Sequence, residues 1–162
     1  EAGSGVSSVI IGLALKLNNY GESISLEHDI TYANITSENM GINELEMKSV
    51  VKHSPLIEYD NLEQKWKWYD INELKFSNKI DMLIVDGPPR ITQELARYPA
   101  IPILHEYFSD RFTILLDDSK RDDEAIIIQK WIVFLETNKY KVKIENFINY
   151  EKGMTILQVY RC

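Results

Sequence analysis

Two apolar runs that each end on aspartate constrain this chain most: KIDMLIVD at 79–86 and RFTILLDD at 111–118. A near-continuous apolar run of this length marks a strand covered on both faces, as in parallel sheets. Parallel neighbours need a long, usually helical crossover. The chain supplies candidates. A helix is expected around 99–109, and residues 121–138 form the longest, with Asp122, Asp123 and Glu124 in the first turn where the helix dipole favours acid. Upstream, SISLEH (23–28) and MKSVVKH (47–53) read as strands, separated by a helix capped near Asp29. Val6, Val9, Ile10, Leu13 and Leu17 recur at helical spacing, and Gly21 stands where a helix-ending glycine is expected. PLIEYDNLEQKWKWYD reads as an extended excursion, a hairpin with Asn61 in its turn. KYKVKIENFINY and MTILQVYR, joined by EKG, close the chain as an antiparallel hairpin. The expected class is α/β, a doubly wound and mostly parallel sheet made mixed by its last hairpin.

With 162 residues there is room for one domain, taken as 1–162. A net charge of −7, with basic residues only in short mixed clusters, argues against a nucleic-acid partner, because such binding needs a basic field. The single cysteine, Cys162, cannot pair within the chain. Nothing therefore demands an oxidising compartment, and a cytoplasmic setting is expected. No run approaches the ~18 apolar residues of a membrane helix; the longest, AIIIQKWIVFL, is broken by Gln129 and Lys130. Asn34-Ile35-Thr36 matches a glycosylation sequon but reads as ordinary helix or loop.

The first residues, EAGSGVSS, place two glycines directly before a helix. In doubly wound sheets the first strand-to-helix turn carries a nucleotide, and glycine lets the backbone approach it. Glu27 closes the next strand, about where an acid binds ribose hydroxyls. A flexible terminus beside a surface acid is the alternative. The dinucleotide pattern wants a third glycine at the position of Ser8, and would not normally have an acid two residues before its first glycine.

E-x-G-x-G-x-S instead resembles motif I of class I S-adenosylmethionine-dependent methyltransferases. In that family the acid lies near the methionine, and the glycines underlie the ribose and amino acid. The resemblance assigns the cofactor to Glu1, Gly3, Ser4 and Gly5, with Glu27 on the ribose and His28 beside the adenine. VVKHSPLIE resembles the third strand and its exit, which places His53 and Ser54 at the adenine edge, while IDMLIVDGPP and TILLDDSKRDDE resemble strands four and five. Nearly the whole chain is covered, and the group most similar is one of small-molecule O-methyltransferases. The implied strand order is 3-2-1-4-5-7-6. Its first, central strand should precede Glu1, so the expectation is that residues upstream of this sequence, a strand and an extension, are missing; an unusual, shortened fold is the alternative. A sheet without that strand would leave buried ladder groups unpaired at about 1–3 kcal/mol each.

Asp86, Asp117 and Asp118 stand at the ends of the two adjacent strands. Catechol-type O-methyltransferases, which these strands resemble, hold a divalent cation with an Asp after strand four and an Asp-Asn pair after strand five. Asp86 and Asp117 match the two acids, and Asp118 replaces the amide. Mg²⁺ or a similar ion there would lower the pKa of an acceptor hydroxyl. Otherwise the acids cap the following segments, with Asp118 as helix N-cap, or Asp86 or Asp118 acts as general base. The resemblance also places Asp86 beside the cofactor. The lysine base of the catechol enzymes has no clear match, and Arg90 cannot be assumed equivalent.

The function expected is methyl transfer to an oxygen of a small-molecule acceptor, with a homodimer left open. Nucleic-acid or protein methylation, NAD-dependent oxidoreduction and a non-catalytic nucleotide-binding module are the alternatives. DGPPR lacks the aromatic that follows the prolines in amino-methyltransferases of nucleic acids, where it stacks on an extruded base. Trp66, Trp68 and Tyr69 read as hairpin packing or a pocket wall, and His105 as a surface or partial-core histidine. Arg97 reads as an anion-binding group or a surface ion pair. Arg121 could instead pair with the strand-end acids, which would count against a metal.

Overall fold

A computed structural model of the protein describes residues 1–60, 62, 64–147 and 149–162. Its elements in order are α1 (Val6–Asn18), β1 (Ser23–Glu27), α2 (Ile30–Ile42), β2 (Ser49–His53), β3 (Leu56–Tyr59), β4 (Trp66–Tyr69), β5 (Ile80–Val85), α3 (Ala100–Leu104), β6 (Phe108–Asp117), α4 (Asp122–Thr137), β7 (Tyr140–Phe147) and β8 (Met154–Arg161). The alternation expected of an α/β chain is present. Residue Asn61, the expected hairpin turn, lies outside the described residues.

β1 and β2 pair in parallel, Ser23 to Ser49 through Glu27 to His53. A second group runs β5-β6-β8-β7, parallel between β5 and β6 and antiparallel thereafter. β3 and β4 form a separate antiparallel hairpin. Ala2 stands between the first two groups and makes parallel bridges to Leu26 and to Val85. Its nitrogen donates to the Ile84 carbonyl, and its carbonyl accepts from Asp86 and Gly87. On the other side Gly3 donates to the Leu26 carbonyl and Leu26 to that of Glu1. One residue thereby ties the ends of β1 and β5 together.

The apolar runs account for the core. Leu83, Val85, Ile114, Leu116, Leu157 and Val159 are buried in the sheet, and α4 lays Ile127, Trp131 and Leu135 against it. The N-terminal half of β5 departs from the expected two-sided burial: Asp81 is exposed and Met82 is 52% exposed. Helix α1 differs too. Of the apolar residues at helical spacing, Val6, Ile10, Leu13 and Leu17 face solvent, Leu17 at 85%, while the helix buries Ser8 and Gly12. The reason is close approach: a Cβ on Gly12 would lie 3.0 Å from Leu45 Cδ1 and 3.3 Å from Ser49 Cβ, so the bare backbone is the packing surface.

Asp29 caps α2 as expected, its carboxylate accepting from the amides of Thr31 and Tyr32. These bonds hold the Asp29 carboxyl below the usual aspartate range. The cap's contribution is thus present above ordinary aspartate pKa values and is lost as pH falls through the lowered one. Asn19, with φ of 50°, ends α1 in place of the expected Gly21. Helix α3 is shorter than 99–109, ending at Leu104 before a 3-10 turn at His105–Tyr107, and Pro102 gives its ladder no donor. Asn34 of the sequon lies within α2. No helix among the described residues is long and apolar enough to cross a membrane.

Candidate functional site

The turn between Ala2 and α1 folds onto the end of β1. Gly3 has φ of +102°, and a Cβ there would meet the Gly87 nitrogen at 3.3 Å, so this glycine is required by both backbone and space. The Ser4 amide and hydroxyl both donate to Glu27 Oε2 at 3.1 Å, and the Asp29 amide donates to Oε1 at 3.1 Å. The Glu27 carboxylate is therefore held by two backbone amides at the mouth of the turn. Ser8, where a dinucleotide turn would have glycine, donates to Glu1 Oε2 at 2.5 Å and accepts from the Gly5 amide at 3.1 Å. Ser25 gives Glu1 Oε2 a second donor at 2.8 Å, while Glu1 Oε1 is buried with no hydrogen-bond partner. A Cβ built on Gly5 meets nothing within 4 Å, so the turn opens at that residue.

His28 and His53 lie side by side, His53 Nε2 3.2 Å from the His28 carbonyl oxygen, and His28 Nδ1 is 3.0 Å from Glu27 Oε1. The Ser54 amide donates to the Glu27 carbonyl, while its hydroxyl is taken by the Asp70 carbonyl at 2.7 Å. The structure thus gathers Glu1, Gly3, Ser4, Gly5, Glu27, His28, His53 and Ser54 at one end of β1 and β2. Through Ala2 that end adjoins Asp86.

Asp86, Asp117 and Asp118 also converge, one carboxylate oxygen from each lying within 4.8 Å of the others. A cation already stands among them. Arg97 is 4% exposed, and its guanidinium donates to the Asp86 carbonyl at 2.6 Å, Asp86 Oδ1 at 2.9 Å, Asp118 Oδ2 at 3.2 Å and the Asp117 carbonyl at 2.9 Å. Arg121 pairs with Asp118 Oδ2 at 2.7 Å, and both arginines reach Glu124 at 3.6–3.7 Å. Arg97 is therefore the centre of a buried network and not a surface ion pair, and Arg121 does pair with the strand-end acids. Asp118 does not cap α4: it sits at φ +57°, the N-cap is Arg121, and the carboxylate is spent on the arginines.

These residues do not fit the divalent cation implied by resemblance. A dication about 4 Å from the Arg97 guanidinium is repelled by about 8 kcal/mol at an effective dielectric of 20, and Asp86 Oδ1 and Asp118 Oδ2, two of the oxygens such an ion would take, are already bound to arginine.

Burial raises the Asp86 carboxyl above the usual range, with Arg97 opposing and the neighbouring acids Asp117 and Asp118 adding to the rise. Glu124 is likewise raised, first by burial, against the pull of Arg97. A raised carboxyl in the folded state means the native protein holds protons that the unfolded chain has released. Stability contributed by Glu124 is thus greatest at low pH and falls as pH rises through its raised pKa. Glu124→Gln is expected to lessen the decline of melting temperature between pH 4.5 and 7, read as the difference between the two proteins' profiles.

Tyr69, expected as hairpin packing or a pocket wall, lies beside this site. It is buried on β4 with its ring edge-on to His28, and a Cβ on Gly87 would lie 2.2 Å from the phenol oxygen. Burial first, then Glu27, pushes the phenol well above its ordinary pKa, Arg97 opposing. Its only signal was the alternation in KWKWYD, which also suits packing. Gly87→Ala is expected to displace Tyr69 and destabilise the protein by about 1–3 kcal/mol, measurable in urea. Trp66 and Trp68 are buried as hairpin packing. His105 turns away, its Nδ1 2.9 Å from the Pro102 oxygen and its ring against Phe134, and Arg90 pairs with Asp123 at 3.0 Å.

No family model matches the sequence, and no curated protein matches it closely. Solved structures do. The O-methyltransferase TomG from Streptomyces achromogenes, involved in tomaymycin synthesis and crystallised with S-adenosylmethionine, superposes with a TM-score of 0.65 at 13% identity, covering 99% of this chain and 71% of its own. A ribosomal protein L11 methylase from Lactobacillus delbrueckii subsp. bulgaricus gives 0.56 at 13%, covering 99% and 68%. An rRNA methylase from Streptococcus thermophilus gives 0.55 at 10%, covering 86% and 73%. The chain has the α/β, Rossmann-like fold of class I S-adenosylmethionine-dependent methyltransferases.

Proposed function

We propose that the protein is an S-adenosylmethionine-dependent methyltransferase acting on an oxygen of a small molecule. The observation that carries this reading is the turn itself. Gly3 and Gly5 lie between two acids, Glu1 and Glu27, which suits a ligand bearing an ammonium, a sulfonium and ribose hydroxyls better than a bare phosphate. In this reading Ala2 marks the place of strand 1, giving the order 3-2-1-4-5-7-6.

Glu27, fixed by the Ser4 and Asp29 amides, accepts from the ribose hydroxyls. Glu1, with one carboxylate oxygen committed to Ser8 and Ser25 and the other buried and unpartnered, is the acid assigned to the ammonium end. His28, His53 and the backbone at Ser54 border the adenine. When bound, the nucleoside supplies an electrophilic methyl group. Asp86, held by Arg97 and 53% exposed at its side chain, takes the proton of the acceptor hydroxyl as general base. Its raised pKa sets the acid limb of activity: below that value Asp86 is protonated and transfer falls. The rest of catalysis is alignment of oxygen, methyl carbon and sulfur.

The test is transfer of a labelled methyl group from S-adenosylmethionine to separate pools of hydroxylated small molecules, RNA and ribosomal protein. Incorporation into the first pool alone, lost in Asp86→Asn, is the expected result. Salt-sensitive labelling of RNA would overturn the acceptor class.

A further inference from the structure

We infer that Arg97 is a built-in counter-ion standing where a divalent cation would have to bind between Asp86 and Asp118, so that the acid cluster is complete without metal and Asp86 is positioned by protein alone. Three observations carry it. The guanidinium contacts the side chains of both Asp86 and Asp118 and the carbonyls of both strand ends, so it spans the gap between β5 and β6. It is buried, and its segment is anchored: the Trp131 indole donates to the Tyr98 carbonyl at 2.8 Å, and the Trp66 ring packs on Tyr98 at 5.0 Å. The two innermost acids are also paired within the protein. Asp118 and Glu124, both nearly fully buried, share Arg97 and Arg121, with Lys152 3.8 Å from the otherwise unbonded Asp118 Oδ1. A dication there would have to share Asp118 with two guanidiniums already bound to it.

The exclusion of cations rests on these contacts alone. The role of Arg97 as a positioning residue for Asp86 rests on the proposed methyl transfer. The two parts have separate readouts. Mn²⁺ titrations followed by electron paramagnetic resonance are expected to leave the ion's free signal undiminished with the unaltered protein. Arg97→Ala, verified as folded by near-ultraviolet circular dichroism, is expected to gain one-to-one Mn²⁺ binding that a second change, Asp117→Asn, removes. If Arg97→Ala is unfolded, Mn²⁺ is expected to restore its fold. Stoichiometric Mn²⁺ binding by the unaltered protein, lost in Asp117→Asn, would overturn the inference, as would a folded Arg97→Ala that ignores Mn²⁺. For positioning, Arg97→Lys is expected to lower kcat more than it raises KM and to move the acid limb of the pH profile upward. An unchanged profile would remove that role and leave the cation result standing.

Discussion

Glu27→Ala is expected to weaken S-adenosylhomocysteine binding at least about 100-fold, since each hydrogen bond to a charged group contributes roughly 1.5–3 kcal/mol and the ribose offers two hydroxyls. The carboxylate also organises the turn, because Ser4 and Asp29 both donate to it. Its removal therefore loosens the backbone that must approach the nucleoside. Glu27→Gln separates these contributions. The amide keeps one acceptor oxygen and the side chain's shape, so the fold should hold while the charge is lost. A smaller loss than in the alanine variant is expected, with an unchanged melting temperature. Equal binding by all three proteins would remove Glu27 from the site.

The second large effect is on stability. Arg97→Met deletes the cation shared by Asp86, Asp118 and Glu124. Breaking a buried pair from one side costs about 3–5 kcal/mol, because the remaining charge is left uncompensated. For a domain of this size that is a fall of about 6–20 °C in melting temperature. The sign of the pH dependence follows from the raised carboxyls: without Arg97 they hold protons to still higher pH, so the variant loses more stability as pH rises. The gap between the two melting curves is expected to be wide at pH 8 and to narrow towards pH 5. A constant gap would show that the cost is lost packing and not charge.

The parts of the site legible in the sequence are those built by local rules. KIDMLIVD and RFTILLDD read as sheet strands with acids at their ends, because apolar runs and terminal polar residues are adjacent in the chain. The glycine turn and Glu27 were legible for the same reason, each being a short segment whose chemistry follows from its place at a strand end. What escaped depends on distance. Arg97 is 11 residues from Asp86 and 21 from Asp118. Nothing in ARYPAIP says that its arginine turns inward, since Trp131 from α4 holds that segment in place. Tyr69 shares KWKWYD with two packing tryptophans, and only the approach of Gly87 marks it as different. Helix α1 shows the converse failure. Its apolar spacing marks a helix, but the packing surface is set by Gly12, whose bare backbone settles against Leu45 and Ser49 while the larger side chains stay outside.

Whether the acid-flanked glycine turn holds a sulfonium nucleoside is decided by titration calorimetry of the protein with S-adenosylhomocysteine and, in parallel, with NAD⁺. One-to-one binding of S-adenosylhomocysteine that Glu27→Ala removes is expected, with no measurable heat from NAD⁺. Binding of NAD⁺ in preference, or S-adenosylhomocysteine binding that survives Glu27→Ala undiminished, would contradict the sulfonium-nucleoside reading.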